Sequence, residues 1–435
     1  EIERTKASSK NIKKYYEMHG YTSFANMVKR LLINGTKHIS ESNIKQRLEM
    51  ERKLIKENYS NRTLIIDEAH NIRGDSTNSG ETRDTIKYIS KVIEYSDDLK
   101  LILLTANPMF NVSTEIVWIL NMLLLNDKRT PITEKIFDED GNITDRGTSV
   151  LEEKSKGYIF YLRGENPISF PIRLYPTHHP EKMTTKDKSP INNIFQDEIK
   201  QGDKLSFLEL YSSLLTGVQK DVYETEINNY EGKQSVQIQE ENKLLQMSNI
   251  VFPVDDIYSE NSYGDNGLTN CFTRQTKNKS PQYEYKTEES FLDIDLIGDY
   301  SAKIKSILEI IQKSKGIVFI YTNWIKAGII PLVLALEQNG YAKRDGSEIL
   351  KTDDKREPIS YSPYEEDEFK QAKYMVIAGG QENLTHNLKE ELEILTSKDN
   401  NEGQLIKVVI GSKVASEGLD FKCIQSIHIM EPWHN

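Results

Sequence analysis

Short apolar runs alternate with helical patterns in the stretch from about residue 61 to residue 127. Thr63–Asp67 and Leu101–Thr105 are predicted strands, and 83–96 between them has the spacing of an amphipathic helix. Two strands that are joined through a helix form a βαβ unit, in which the strands must run parallel. We therefore predict a parallel sheet in this part of the chain.

The same alternation returns over 301–435, after a heterogeneous stretch at 131–300. Within that stretch, the polar Tyr- and Asn-rich segment near 253–290 is expected to be a loop or partly disordered. Two α/β blocks separated by an insertion predict two sheet domains that face each other across a cleft. In the second block the predicted strands are Gly316–Tyr321, Lys373–Ala378, Leu405–Ile410 and Ile424–Met430, with helices at about 301–313, 324–339 and 384–396.

Composition narrows the class of protein and agrees with the prediction of two α/β domains. A chain of 435 residues favours two or three domains, and it contains no run of about 18 apolar residues that could span a membrane. The net charge of −11 argues against a module dedicated to wrapping DNA, although a motor can still bind nucleic acid through a locally positive groove. The two cysteines, Cys271 and Cys423, lie too far apart in sequence to suggest a metal site.

An acidic pair directly follows the first predicted strand, in the motif Asp67-Glu68-Ala69-His70. Ligands of parallel sheets bind at the carboxyl ends of strands, and adjacent side chains point to opposite sides. One carboxylate can then hold a metal while the other meets a water, the two tasks that ATP hydrolysis requires. We assign Asp67 to Mg²⁺ through water, Glu68 to the attacking water, and His70 to reporting the nucleotide state. The alternative is a charged turn without chemistry.

Two further motifs follow predicted strands. Thr105-Ala106-Asn107 ends the second strand, where a hydroxyl or an amide could bond to His70 and transmit a conformational change. Near the carboxyl terminus a strand runs into a turn of small residues. In this turn Gly418 permits close backbone approach, and Asp420 could accept a bond from a sugar hydroxyl or hold an arginine. Each motif also has a purely structural interpretation, an Asn-Pro turn for the first and a capped βα turn for the second.

Together these motifs resemble the DEAH-type helicases of superfamily 2, which have two RecA-like domains. Further segments are similar to the helicases and ATPases of large cytoplasmic DNA viruses, in particular the poxvirus early transcription factor small subunit, nucleoside triphosphate phosphohydrolase I and their giant-virus relatives. Those segments are Tyr21–Asn26, Lys154–Tyr158, Leu162–Pro167, Ile317–Trp324 and Ile427–Asn435.

The resemblance implies a DNA-dependent, helicase-type ATPase in viral transcription. On this basis 1–130 is the carboxyl-terminal part of the first RecA-like, ATP-binding domain, 131–300 a linker or insertion, and 301–435 the second RecA-like domain. ATP and Mg²⁺ would be the cofactors. Partners would be DNA and viral RNA polymerase or transcription factor subunits, in a soluble protein of the host cytoplasm or the virion.

The family's catalytic residues carry over to matching positions of this chain. The resemblance implies catalytic roles for Asp67, Glu68 and His70, and ATP contacts for Gly418 and Asp420. It also implies coupling roles for Thr105, Ala106 and Asn107. At the last of these positions the family usually has Thr, so the strength of coupling through Asn107 is open.

Candidate nucleic-acid contacts are less specific than these motifs. Lys326, Lys413 and Arg163 could meet the phosphate backbone, and Trp324 and Trp433 could stack on bases. Surface charge and ordinary packing are the more common roles of such residues. A catalytically inactive scaffold for transcription partners, and a chromatin-remodelling or restriction-type translocase, therefore stay open as alternatives.

Two expected helicase elements do not occur among the 435 residues. No Gly-x-x-x-x-Gly-Lys-Ser/Thr loop is present, and no arginine motif follows Trp433. We expect both to lie outside this sequence, as in a truncated chain. The prediction is that the 435-residue polypeptide hydrolyses ATP negligibly whereas its full-length parent does so. Robust DNA-stimulated phosphate release by purified 1–435 would contradict it.

Overall fold

The chain divides into two compact units, residues 1–169 and 170–434, a division that falls inside the predicted insertion 131–300. The helices within the described ranges are all too short or too polar to cross a membrane. The computed structural model describes residues 14–72, 80–109, 112–138, 141–161, 174–175, 178, 190–201, 204, 210–233, 235–277, 280–379, 384–385, 387–415, 419 and 421–431.

Unit 1 contains a pair of parallel strands, β1 (Thr63–Ile66) and β2 (Lys100–Leu103). Ile66 lies beside Leu103, so the two strands end at the same level. The predicted parallel βαβ unit is confirmed, with the crossover made by the third helix. The helices of the unit include α1 (Tyr21–Thr36), α2 (Ile44–Tyr59), α3 (Gly80–Tyr95), α4 (Glu115–Asn126) and α5 (Asp145–Ser155).

Helix α3 lies between two apolar clusters of unit 1. Its residue Ile93 packs with Ile66 of β1 and with Met122 of α4. Its neighbour Val92 packs instead with buried apolar residues of α1 and α2. Because α3 has apolar residues on two sides, it packs against β1 and α4 on one side and against α1 and α2 on the other.

Unit 2 contains a five-stranded parallel sheet in the order β6-β7-β8-β5-β9 within the described part of the chain. The prediction of an α/β chain with parallel sheets is thereby confirmed. Ahead of this sheet lies an antiparallel hairpin of β3 (Phe272–Lys277) and β4 (Ser280–Tyr285). The sheet strands are β5 (Ile317–Tyr321), β6 (Ala342–Lys343), β7 (Lys373–Ile377), β8 (Val408–Gly411) and β9 (Ile424–Ile429).

The helices of unit 2 cover both faces of the central strands. Val318 and Ile320 of β5 share one large core with the helices that flank this strand in sequence. Ile317 and Val409 face the other side, where they pack with the last helix of the unit. These helices are α6 (Gly217–Asn228), α7 (Ile238–Asn249), α8 (Gly264–Cys271), α9 (Ala302–Lys313), α10 (Ile330–Gln338) and α11 (Leu388–Leu395).

The segment near 253–290 differs from the expected loop. It contains helix α8 and the β3–β4 hairpin, so the prediction of irregular structure there is wrong. The rings of Phe272 and Tyr283 lie 6.3 Å apart, and Phe272 lies 5.8 Å from Phe291. Aromatic residues favour strands when they can pack across a pair, and here the polar residues that follow Phe272 in β3, from Thr273 to Thr276, are exposed.

A π-helical turn, Ile325–Ile329, precedes α10 and divides the helix that the sequence predicts over 324–339. The backbone N–H of Ile329 donates to the carbonyl of Trp324 at 2.9 Å. A Cβ at Gly328 would lie 2.2 Å from the hydroxyl oxygen of Thr322, so only glycine fits at this close approach. Turns of this kind are frequent next to functional residues.

A buried carboxylate ties α10 to the chain that follows β6. Glu337 is 1% exposed and accepts hydrogen bonds from the backbone N–H groups of Ile349 (2.9 Å) and Leu350 (2.6 Å) and from the Tyr374 hydroxyl. Burial raises the pKa of Glu337 to about 7, although these donors and Lys355 favour the charged form. The carboxyl group therefore changes charge close to neutral pH.

Glu337→Gln should alter the pH dependence of the free energy of unfolding. The pKa of the folded state lies above the unfolded value of 4.5, so the contribution of the protonated acid is complete below pH 4.5. As the pH rises through 7, this stabilising contribution to the free energy of unfolding is lost, and the total loss is about 3 kcal/mol. Urea unfolding should therefore show the variant gaining stability relative to wild type by that amount between pH 4.5 and pH 8. Glu284→Gln, at a surface acid paired with Lys351, is the control. An unchanging difference would contradict the prediction.

Candidate active site

The acidic pair lies directly after β1, at the end of the strand. Asp67 is exposed and the Glu68 side chain is 39% exposed, whereas that of His70 is only 2% exposed. Glu68 has a backbone φ of 48°, in the left-handed region that costs a non-glycine residue roughly 1–2 kcal/mol. The chain then forms a short 3₁₀ turn, Ala69–Ile72. This change of direction leaves the acids at the surface and buries the histidine.

Backbone hydrogen bonds extend the β1–β2 ladder into this turn. The N–H of Leu104 donates to the carbonyl of Ile66, and the N–H of Ala69 donates to the carbonyl of Leu104, both at 2.9 Å. The N–H of Asn71 donates to the carbonyl of Glu68 at 2.9 Å. The residues that follow the two strands are therefore joined to each other, and a shift of one strand end would displace the other.

His70 lies between the acid and the second predicted motif. Its Nδ1 is 3.0 Å from the Thr105 hydroxyl oxygen and 3.4 Å from Oε2 of Glu68. The Thr105 hydroxyl also accepts the backbone N–H of Asn107 at 3.1 Å. Ala106 and Asn107 are exposed. The structure thus brings together residues from both motifs, which are separated by 35 positions in sequence.

Tyr21, which has no assigned role in the sequence prediction, contacts the acidic turn. Its hydroxyl donates to the backbone carbonyl of Asp67 and lies 3.3 Å from that of Glu68. Tyr21 is the first residue of α1 and packs partly buried against the cluster that contains Ile66 and Ala69. The resemblance includes the segment Tyr21–Asn26, but sequence alone does not indicate which backbone groups the hydroxyl would meet.

The donor set at the end of β1 suits a magnesium ion that arrives with a nucleotide. Mg²⁺ commonly binds one or two carboxylates, several waters and substrate phosphates rather than a cage of protein ligands. Asp67 is an exposed carboxylate in a suitable position. Among the described residues there is no group of three or more His, Cys, Asp or Glu side chains that could hold a metal. Asp67 therefore fits Mg²⁺ in combination with phosphate and water oxygens.

Glu431, at the carboxyl edge of the second sheet, is a buried acid that the motif assignments left without a role. It accepts hydrogen bonds from the Thr322 hydroxyl (2.7 Å), the Asn323 backbone N–H (2.5 Å) and the Asn249 side chain (3.0 Å). Thr322 and Asn323 follow β5, and Asn249 ends α7. Glu431 thus joins two strand ends to a helix of the same unit. The three donors come from distant sequence positions, which explains why no local pattern predicts the cluster.

A partly buried lysine completes this cluster. Lys303 donates to the side-chain oxygens of Asn249 and Ser248, both at 2.9 Å. Burial lowers the pKa of Lys303 to about 8, and the charge of Glu431 opposes that shift. Three hydrogen bonds within the fold hold the Glu431 carboxylate, so this acid has a structural role in the unit.

The remaining predicted contacts lie away from the acidic turn in sequence. Gly418, Asp420 and Trp433 lie outside the described residues, as does Arg163. Lys326 pairs with Asp265 at 2.6 Å, and Lys413 lies in a short turn after β8. Trp324 is half-buried directly before the π-helical turn. Their proposed roles in nucleotide or nucleic-acid binding stay predictions.

Thr105→Val should destabilise unit 1 by about 1 kcal/mol, because it keeps the shape of the side chain but removes the oxygen that meets His70 and Asn107. Urea unfolding of the variant and the wild type measures the change. Thr63→Val, at the exposed start of β1, is a matched control and should leave the midpoint nearly unchanged. Equal stability of Thr105→Val and wild type would show that the hydroxyl makes no such contact.

Comparison with known proteins identifies relatives over nearly the whole chain, although no protein-family model matches it. A putative ATP-dependent RNA helicase of Acanthamoeba polyphaga mimivirus is 26% identical over 443 residues, covering 99% of this chain and 60% of the relative. A putative helicase of Invertebrate iridescent virus 3 is 24% identical over 436 residues, covering 99% of this chain and 35% of the relative.

A third relative is named as a termination factor homolog rather than as a helicase. A termination factor NPH-I homolog of African swine fever virus is 22% identical over 395 residues, covering 85% of this chain and 51% of the relative. The chain thus spans 35% to 60% of the length of these three relatives. The predicted resemblance to helicases and ATPases of large DNA viruses is confirmed, since the chain is distantly similar to proteins named as putative helicases and to a termination factor homolog of such viruses.

Proposed function

We propose that the protein containing this chain is a nucleic-acid-stimulated ATPase of the helicase type. The observation that carries the proposal is the contact of Glu68 with His70 and of His70 with Thr105, at 3.4 and 3.0 Å. A partly exposed acid at a strand end can act on water, while a buried histidine connects it to the neighbouring strand. The helicase names of two relatives support the same class of activity.

The two acids that follow β1 would have different roles in ATP hydrolysis. When bound, Mg²⁺-ATP supplies a reactive phosphoryl group whose negative charge the metal partly neutralises. Asp67 would hold the metal through water. Glu68 would orient the attacking water and accept its proton, a role that requires a carboxylate with access to the bound substrate. The partial exposure of Glu68 meets that requirement.

Coupling to nucleic acid would pass through the end of β2. In this proposal Thr105 senses the position of His70, and the backbone of Asn107 follows through its bond to the Thr105 hydroxyl. The side-chain amide of Asn107 can form hydrogen bonds, as the threonine usual in the family does, but with different geometry. Gly418 and Asp420 would contribute contacts to the nucleotide.

The finer proposal is a motor on DNA that acts in viral transcription. Its partners would be viral RNA polymerase or transcription factor subunits, in the host cytoplasm or the virion. Support comes from the resemblance and from the relative named as a termination factor homolog. The relative named as an RNA helicase points instead to RNA, so the identity of the polymer needs a direct measurement.

Glu68→Gln in the full-length protein should lower kcat for ATP hydrolysis by at least about 100-fold, because the amide cannot accept the proton of the attacking water. Binding of a non-hydrolysable ATP analogue should stay close to that of wild type. Phosphate release and equilibrium binding measure the two effects. Asp97→Asn removes a surface acid of the same unit, which pairs with Lys56, and should retain full turnover. An active Glu68→Gln enzyme would refute the assignment of Glu68.

The choice of polymer can be tested with the same preparation. Phosphate release is measured with single-stranded DNA, duplex DNA and single-stranded RNA at equal nucleotide concentration and fixed salt. The proposal requires the largest stimulation from DNA. Larger stimulation by RNA would overturn that part of it, and absence of turnover with every polymer would favour the scaffold alternative.

A further inference from the structure

We propose that Tyr21 is a positioning residue for Glu68, acting through its hydroxyl on the backbone of the acidic turn. The inference deepens the proposed function and rests on it. Tyr21 does not touch the reacting atoms in this proposal. Its effect would be to hold the peptide from which the Glu68 side chain extends.

The geometry places one donor against two consecutive carbonyl groups. The hydroxyl of Tyr21 donates to the carbonyl of Asp67 and lies 3.3 Å from the carbonyl of Glu68. Consecutive carbonyl groups of an extended strand point in opposite directions. Both can approach one hydroxyl here because the chain has left the strand and Glu68 has turned to a φ of 48°. The tyrosine thus binds the turned conformation specifically.

That conformation needs support, since a left-handed glutamate is unfavourable by roughly 1–2 kcal/mol. The bonds of Ala69 and Asn71 hold the turn from its carboxyl-terminal side. The Tyr21 hydroxyl supports it at the acids themselves. Because the backbone conformation at Glu68 sets the direction of its side chain, relaxation of this peptide would displace the carboxylate that acts on water.

Tyr21 is itself anchored before it meets the turn. It begins α1, which is held by its buried residues Val28 and Leu32 against α2 and α3. Its ring packs partly buried against the cluster beneath β1. A tyrosine has two side-chain torsions, so a packed ring presents its hydroxyl in a nearly fixed position. This arrangement suits a residue that orients another group.

The test is Tyr21→Phe in the full-length protein, which keeps the packed ring and removes the hydroxyl. We expect kcat for ATP hydrolysis to fall roughly 10- to 100-fold through misplacement of Glu68. The KM for ATP and the affinity for a non-hydrolysable analogue should stay near wild type, and the melting temperature should fall by only a few degrees, because a single hydroxyl is lost. Tyr59→Phe is the matched control, because its ring packs 5.8 Å from Phe24 in the same unit, and it should retain wild-type kcat.

A double-mutant cycle separates positioning from a general structural effect. If Tyr21 acts through Glu68, adding Tyr21→Phe to Glu68→Gln should change the residual rate less than twofold. Single turnover of radiolabelled ATP makes that slow rate measurable. An equal loss in both backgrounds, or a Tyr21→Phe kcat within twofold of wild type, would overturn the inference. Full activity of Glu68→Gln alone would instead refute the catalytic role of Glu68 on which the inference rests, and absence of ATP turnover by the wild-type protein would overturn the proposed function.

Discussion

The parallel pairing of β1 with β2 is the constraint on which the candidate site depends. Because Ile66 lies beside Leu103, both strands end at one edge of the sheet, and the ladder continues through Leu104 and Ala69. Polar residues that follow each strand are therefore brought together without any long loop. The contact of His70 with Thr105 is a direct consequence of that register.

The two units contain carboxylates at strand ends in opposite bonding states. Glu431 is fully buried and accepts hydrogen bonds from Thr322, Asn323 and Asn249, so its capacity is used within the fold. Glu68 is partly exposed on a strained backbone, with His70 as a neighbour. Strain is retained where surrounding contacts over-determine it, commonly at sites of function. The comparison assigns a structural role to Glu431, and the partial exposure of Glu68 agrees with the catalytic role proposed for it.

Local patterns predicted the sheet well because strands and helices repeat over several residues. The observed β1, β2, β5 and β7 begin and end within two residues of their predictions. The two-residue strand Ala342–Lys343 is too short to show any period, and the π-helical turn Ile325–Ile329 is mostly apolar, like the helix that follows it. Strand-end motifs were likewise predictable, since their position follows from the strand. The contacts of Tyr21 and Glu431 could not be predicted, because their partners lie more than 40 residues away in sequence.

The acidic turn is held from two sides by different elements. On its amino-terminal side the Tyr21 hydroxyl of α1 meets the carbonyl groups of Asp67 and Glu68. On its other side the strand β2 acts through the carbonyl of Leu104 and the hydroxyl of Thr105. A displacement of the β2 end would thus be transmitted to Ala69 and His70 while the preceding peptide stays attached to α1. The backbone torsions of Glu68 lie at the junction of these two attachments, so they would absorb the motion and redirect the carboxylate.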